Sequence, residues 1–128
     1  RLTPLTRTRQ LADAIRAILG ARPPRPAPEG ADDCVRRVFQ ALRIAVNDEF
    51  GVLDLFLRQL PGCLNAGGRV AILTFHSGED RRVKQAFRAG VHAGLYTTAS
   101  EEVIRAGPAE RRANPRSTSA KLRWAVRA

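Results

Sequence analysis

GGRVAILTFHSGEDRRVK, residues 67–84, decides the fold. Val70–Phe75 is a nearly unbroken apolar run, bounded by Gly67-Gly68 on one side and a charged loop on the other. Six residues of this kind read as a strand buried on both faces, the pattern of a parallel-sheet strand. The following stretch, 79–89, reads as a helix with Val83 and Phe87 inward and Arg81, Arg82, Lys84 and Arg88 outward. Before the run, residues 49–60 carry Leu53, Phe56, Leu57 and Leu60 at helical spacing and stop at Pro61. Helix, Gly-Gly turn, buried strand and helix together give an α/β organisation.

Working outward, a stronger helix begins at Asp32 or Asp33, where Val35, Val38, Phe39, Leu42, Ala45 and Val46 form one apolar stripe. Arg36, Gln40, Arg43 and Asn47 form a second, polar stripe without acids. Such forked donors suit phosphates and base edges, although a plain solvated face would look the same. Residues 7–19 predict a short amphipathic helix through Leu11, Ile15, Ile18 and Leu19, capped by Thr6 or Thr8. Four prolines in 21–30 exclude regular structure and mark a linker. Beyond Gly90 and Gly94, Leu95–Thr98 can form a short strand, 100–113 is polar and at best helical, and 113–119 is a loop. The tail alternates, with Ala120, Leu122, Trp124 and Val126 on one side and Lys121, Arg123 and Arg127 on the other. This predicts a half-exposed strand at or near a sheet edge with its apolar side inward.

At 128 residues the chain has the size of one ordinary domain. Its 44% apolar content fits a globular protein. No apolar run approaches the roughly 18 residues of a membrane span, and the start lacks the apolar core of a signal peptide. Cys34 and Cys63 lie far apart, without metal-ligand spacing to His76 or His92, which predicts reduced thiols, a cytoplasmic setting and no metal. The absence of methionine points to a processed start or a piece of a longer protein. The net charge is +10, and 20 of the 22 basic residues are arginine. Residues 1–31 carry +4, residues 32–79 carry −1 and residues 80–128 carry +7. A near-neutral middle between basic ends suits a polyanion partner, with nucleic acid foremost; arginine enrichment from composition alone is the plain alternative.

Ligands of open α/β sheets bind beyond the carboxyl ends of strands, and His76 and Ser77 stand at that place. A local reading competes: Ser77-x-x-Asp80 fits a capping box, and Glu79 and Asp80 complement the helix dipole. That reading leaves His76 without a role. A Ser-His-Asp triad is disfavoured because His76 and Ser77 are neighbours whose side chains diverge, and no nucleophile elbow is present. No G-x-G-x-x-G or Walker loop occurs.

Three segments carry a resemblance: VFQALRIAVNDEFG (38–51), GGRVAILTFHSGEDRRVK (67–84) and NPRSTSAKLRWA (114–125). In this order and spacing they resemble the bacterial S-adenosylmethionine-dependent small-subunit rRNA cytosine-N4 methyltransferases, the MraW or RsmH family. The resemblance implies the carboxyl-terminal half of a Rossmann-like class I methyltransferase sheet with flanking helices. Residues 1–31 would be the end of that family's helical insert plus a linker, and 32–128 the carboxyl-terminal part of the α/β domain. Val70–Phe75 would be a central parallel strand, with Leu95–Thr98 and Ala120–Arg127 as the closing antiparallel hairpin. By motif, His76, Ser77 and Asn47 would lie near the base or cofactor, with Gln40, Arg43, Arg81, Arg82, Arg116, Ser117 and Lys121 toward RNA. Gly78 stands where leucine is usual and would loosen the packing. The family's glycine-rich cofactor loop has no counterpart here, so the isolated chain is expected not to methylate RNA, and its cofactor residues are unassigned. Expected partners are ribosomal RNA or the small subunit, and either a second copy or a missing amino-terminal half. The alternative is a non-catalytic RNA-binding or ribosome-assembly module derived from such an enzyme.

Overall fold

The structure, a computed structural model, describes residues 4–20 and 30–128. The proline-rich stretch expected to be a linker lies almost wholly outside the described residues. The chain divides into two compact units, Arg1–Glu49 and Phe50–Ala128.

The first unit holds α1 (Thr8–Ile18) and α2 (Ala31–Asn47). The first turn of α1 is closed by the Gln10 side chain, whose Oε1 accepts from the backbone N–H groups of Thr6 at 2.9 Å and Arg7 at 3.0 Å. The threonine hydroxyls expected as caps therefore give way to an amide reaching back from the third helical position. Asp32 and Asp33 stand in the first turn of α2, where the helix dipole favours negative charge. Asp32 also ties the two helices together through Arg16 at 3.0 Å. The helix ends at Asp48, left-handed at φ 48°. Of the expected apolar stripe only Val35 is fully buried, and Val46 is 81% exposed.

The second unit runs α3 (Glu49–Gln59, entering from the first unit by one residue), a 3₁₀ turn at Leu60–Cys63, β1 (Arg69–Thr74), α4 (Ser77–His92) and β2 (Tyr96–Ala99). It continues with α5 (Pro108–Ala113), a 3₁₀ turn at Pro115–Ser119 and β3 (Lys121–Arg127). Helices and a three-stranded sheet make this an α/β unit, with strand order β1-β3-β2 and antiparallel pairing throughout. The core is Leu57, Leu60, Val83, Phe87, Tyr96 and Ala125, so α3, α4 and one face of the sheet close upon each other. The Phe87 and Tyr96 rings meet edge to face at 5.5 Å. Tyr96 lies directly over Gly90, where an added Cβ would sit 2.4 Å from its ring.

The expected hairpin of β2 with β3 is present, but four other expectations need correcting or refining. First, the pairing that β1 makes among the described residues is antiparallel, with β3 from Arg69↔Val126 to Thr74↔Lys121, so a parallel neighbour would stand on its other margin. Second, β1 is not buried on both sides. Val70, Ile72 and Thr74 turn toward the core, whereas Leu73 and Phe75 are each 53% exposed. Third, β3 lies between β1 and β2, one strand in from the β2 edge, and its faces are reversed. Arg123 and Ala125 are buried against the helical side, while Trp124 faces outward. Period-two alternation separates the two faces of a strand but does not say which one a helix will cover. Here α4 settles over Ala125, which lets Val83 and Phe87 approach closely, and Arg123 is admitted because Asp80 meets it. Fourth, only Pro108–Ala113 of 100–113 is helical. Before it, Ile104 bridges Leu122 through two backbone hydrogen bonds of 3.0 and 2.9 Å, extending the β2 side of the sheet. The expected loop at 113–119 contains the 3₁₀ turn instead.

Candidate functional site

At the carboxyl end of β1 the chain turns through Phe75 and His76 into α4. The capping frame is one residue earlier than the sequence suggested: His76, not Ser77, is the N-cap. Its Nδ1 accepts from the Glu79 backbone N–H at 3.4 Å. The Glu79 carboxylate answers, its Oε2 accepting from the backbone N–H groups of Phe75 at 3.1 Å and His76 at 3.4 Å. A carboxylate can take both donors because it is acceptor-only and stands at the positive end of the helix dipole. Histidine is not among the preferred caps, so residue-type rules point to Ser77. Capping is thus one role that His76 fills.

With Nδ1 accepting, the ring proton of a neutral imidazole belongs to Nε2. That nitrogen is buried without a hydrogen-bond partner, although Glu79 Oε1 lies 3.1 Å away, because the two are poorly aligned. The ring is held from its side by Phe50, edge-on with centroids 5.7 Å apart. Arg82 lies over the Phe50 ring at 4.3 Å and pairs with Asp54 at 3.0 Å. Gly78 makes this stack possible, since a Cβ there would fall 2.8 Å from Phe50 Cζ. Its effect is the reverse of the loosening expected: the glycine admits an aromatic ring against the turn.

The NPRSTSAK segment arrives at the same end of the sheet. Asn114 closes the 3₁₀ turn through Oδ1, which accepts from the Arg116 N–H at 3.2 Å, while the Ser117 hydroxyl donates to the Asn114 carbonyl at 2.8 Å. Thr74 Oγ1 donates to the Lys121 carbonyl at 3.3 Å, pinning the end of β1 to the start of β3. Farther along, Arg123 grips Asp80 through Nε at 2.7 Å and Nη2 at 3.2 Å, and its Nη1 donates to the Glu101 carbonyl at 3.3 Å. Arg123 is only 5% exposed, so this bidentate pair is the buried electrostatic link between the two segments. Nothing local to Arg123 marks it: the partners lie 43 residues apart, and alternation places Arg123 outward. Across the sheet from them Leu73, Phe75, Arg116, Asn114 and Ile104 line a cavity of about 430 Å³ on its outer side.

The expected site residues therefore separate by role. His76, Ser77, Arg81, Arg116, Ser117 and Lys121 belong to one sheet end or the first two turns of α4. Ser117 is buried at 6% exposure with its hydroxyl donating to Asn114, and Arg82 pairs with Asp54 and lies over Phe50. Ser77, Arg81 and Arg116 are exposed, and Lys121 is half-buried. Gln40, Arg43 and Asn47 lie in the first unit, on α2. There Arg43 pairs with Glu49 at 2.9 Å, Asn47 Nδ2 donates to the same carboxylate at 3.4 Å, and Arg36 pairs with Asp33. The polar stripe, acid-free along its own spacing, is thus largely neutralised by acids at other helical positions.

The arrangement offers no activated nucleophile. It offers a turn fixed by reciprocal side-chain and backbone hydrogen bonds, with exposed Ser77 and Phe75 at its surface. Comparison with known proteins agrees with the three motifs. The family model described as the MraW methylase family matches residues 1–128. Ribosomal RNA small subunit methyltransferase H 1 of Lachnoclostridium phytofermentans is 49% identical over 121 residues, covering 94% of this chain and 33% of that protein. The protein of the same name from Agathobacter rectalis is 58% identical over 93 residues, covering 73% of this chain and 27% of its own length. Ribosomal RNA small subunit methyltransferase H 2 of Alkaliphilus metalliredigens is 45% identical over 124 residues, covering 97% and 36% respectively. The chain thus spans about a third of the length of these relatives. With the family model matched from end to end and these identities in hand, the chain belongs to the MraW methylase family.

Proposed function

We propose that the chain is the carboxyl-terminal part of an S-adenosylmethionine-dependent methyltransferase acting on the N4 amine of a cytosine in small-subunit rRNA. The observation that carries this reading is the meeting of FHSGED and NPRSTSAK at one sheet end, locked by Asp80 and Arg123. Family membership and the relatives' names support the same conclusion. The antiparallel order β1-β3-β2 suits the closing end of a Rossmann-like sheet, with β1 as the strand next to the missing portion.

The residues present do not fit the methyl donor on their own. The β1-to-α4 turn is filled by the side chains of His76 and Glu79, and Phe50 presses against Gly78, leaving no glycine-lined cradle. No step through the donor is therefore derived from this chain. Its contribution is positional. An exocyclic amine is a weak nucleophile because its lone pair is delocalised, so holding the base in place accounts for much of the catalytic task. The His76–Glu79 turn forms a rigid wall at the strand end, and exposed Ser77 and Arg116 stand where a nucleotide would pass.

Calorimetric titration with S-adenosylmethionine and mass-spectrometric detection of N4-methylcytidine in small-subunit rRNA test this reading. The chain alone is expected to give neither heat nor product, and to give both when joined to a segment carrying the glycine-rich loop. Tight one-to-one binding by the isolated chain would refute the incomplete site. A joined protein that methylates a different position would refute the assigned substrate.

A further inference from the structure

The outward face of α4 carries three basic residues. Arg81, Lys84 and Arg88 stand at i, i+3 and i+7, so they share one face and span about 10 Å along the helix axis. Among the described residues none of the three has an acidic oxygen within 4.0 Å, whereas Arg16, Arg36, Arg43, Arg82 and Arg123 each have one. The acids of α4 itself are already engaged: Asp80 holds Arg123, and Glu79 caps the helix. Like charges at this spacing each cost a helix a few tenths of a kcal/mol, a penalty that a bound polyanion would remove.

We propose that Arg81, Lys84 and Arg88 form a phosphate-contacting face for RNA, extending beyond the strand-end site along α4. The proposal rests on the RNA reading above and adds a surface to it. An acidic membrane is a poorer fit. A helix that lies on lipid needs large apolar residues beside its basic stripe, and on α4 Val83 and Phe87 are buried in the core. Gln85, exposed between the cations, adds an amide that can both donate and accept.

Fluorescence anisotropy of the 128-residue chain with a labelled single-stranded RNA, over about 50 to 200 mM salt, tests the face. Each lost single-strand phosphate contact lowers the slope of log K against log salt by about 0.7, so Arg81→Gln/Lys84→Gln/Arg88→Gln is expected to lower it by about 2. Arg105→Gln/Arg111→Gln/Arg112→Gln removes the same charge away from α4, and is expected to lower the slope by less than 1. Arg88→Gln alone should remove about 0.7, and every variant should keep the parent's circular-dichroism spectrum with a melt no lower than the parent's. Equal slope losses in both triple variants would overturn the proposal while leaving RNA binding intact. So would vesicle or polyglutamate binding that the first triple variant loses while it retains RNA. A parent chain that fails to bind RNA at about 50 mM salt would instead refute the RNA reading itself.

Discussion

Asp80, in the first turn of α4, and Arg123, in the middle of β3, form a two-pronged ion pair at 2.7 and 3.2 Å inside the second unit. Removing one member of a buried pair strands the other charge, which costs far more than the pair itself contributes. Asp80→Asn is therefore expected to destabilise the chain by about 3 kcal/mol in urea unfolding. Asp80→Leu/Arg123→Met should recover most of that loss. A double variant as unstable as the single would show that the pair does more than neutralise Arg123.

Tyr96 covers Gly90 so closely that a methyl group there has no room. Gly90→Ala would normally gain about 1 kcal/mol of helix propensity. Here overpacking should outweigh the gain and leave a net loss of about 1 to 2 kcal/mol. The same substitution in a Tyr96→Ala background should be neutral or stabilising, and a double-mutant cycle by thermal melting reads the coupling directly.

The cap at the strand end rests on one carboxylate serving two amides. Glu79→Ala should cost about 1 to 2 kcal/mol, whereas Glu79→Gln, which keeps an acceptor oxygen, should lose less. Amide hydrogen exchange of Phe75 and His76 provides the local measure, with protection falling in Glu79→Ala and partly retained in Glu79→Gln. Unchanged exchange at both amides would count against the cap.

Burial pushes the Tyr96 phenol above its ordinary value of 10.0, with the Arg127 guanidinium pulling it partly back. A phenol whose folded value is raised holds its proton more tightly when folded. Its contribution is complete below pH 10.0 and is lost as pH climbs from there through the raised folded value. Denaturant midpoints should fall in that alkaline window, and Tyr96→Phe should flatten the fall.

Local pattern was enough to find most of the elements. Val70–Phe75, Val83 with Phe87 and the tail after Ala120 signal a strand, a helix and a strand through periodicity alone, and all three form. What pattern could not supply was partnership. Arg123 alternates to the polar side of β3, yet the helix that settles on that side carries Asp80, so the polar side becomes the inner one. His76 lay in plain view as a candidate ligand contact, and its capping role, with Nδ1 accepting from an amide three residues on, was not legible in the sequence. Residue type favoured Ser77 for that task; the geometry of the turn chose the imidazole. Gly78 likewise had no visible purpose until Phe50, 28 residues away in sequence, was seen against it.

The outer side of the sheet, with Leu73, Phe75 and Trp124 showing and one margin of β1 unpaired among the described residues, governs how this chain would behave in a test tube. Bare strand margins and apolar patches invite self-association, while a net charge of +10 keeps molecules apart. That repulsion reaches about 30 Å at 0.01 M salt and only about 3 Å at 1 M. The purified chain should therefore stay dispersed in dilute buffer and cloud as salt is added, the reverse of ordinary salting-in, with Trp124→Lys or Leu73→Lys delaying the onset.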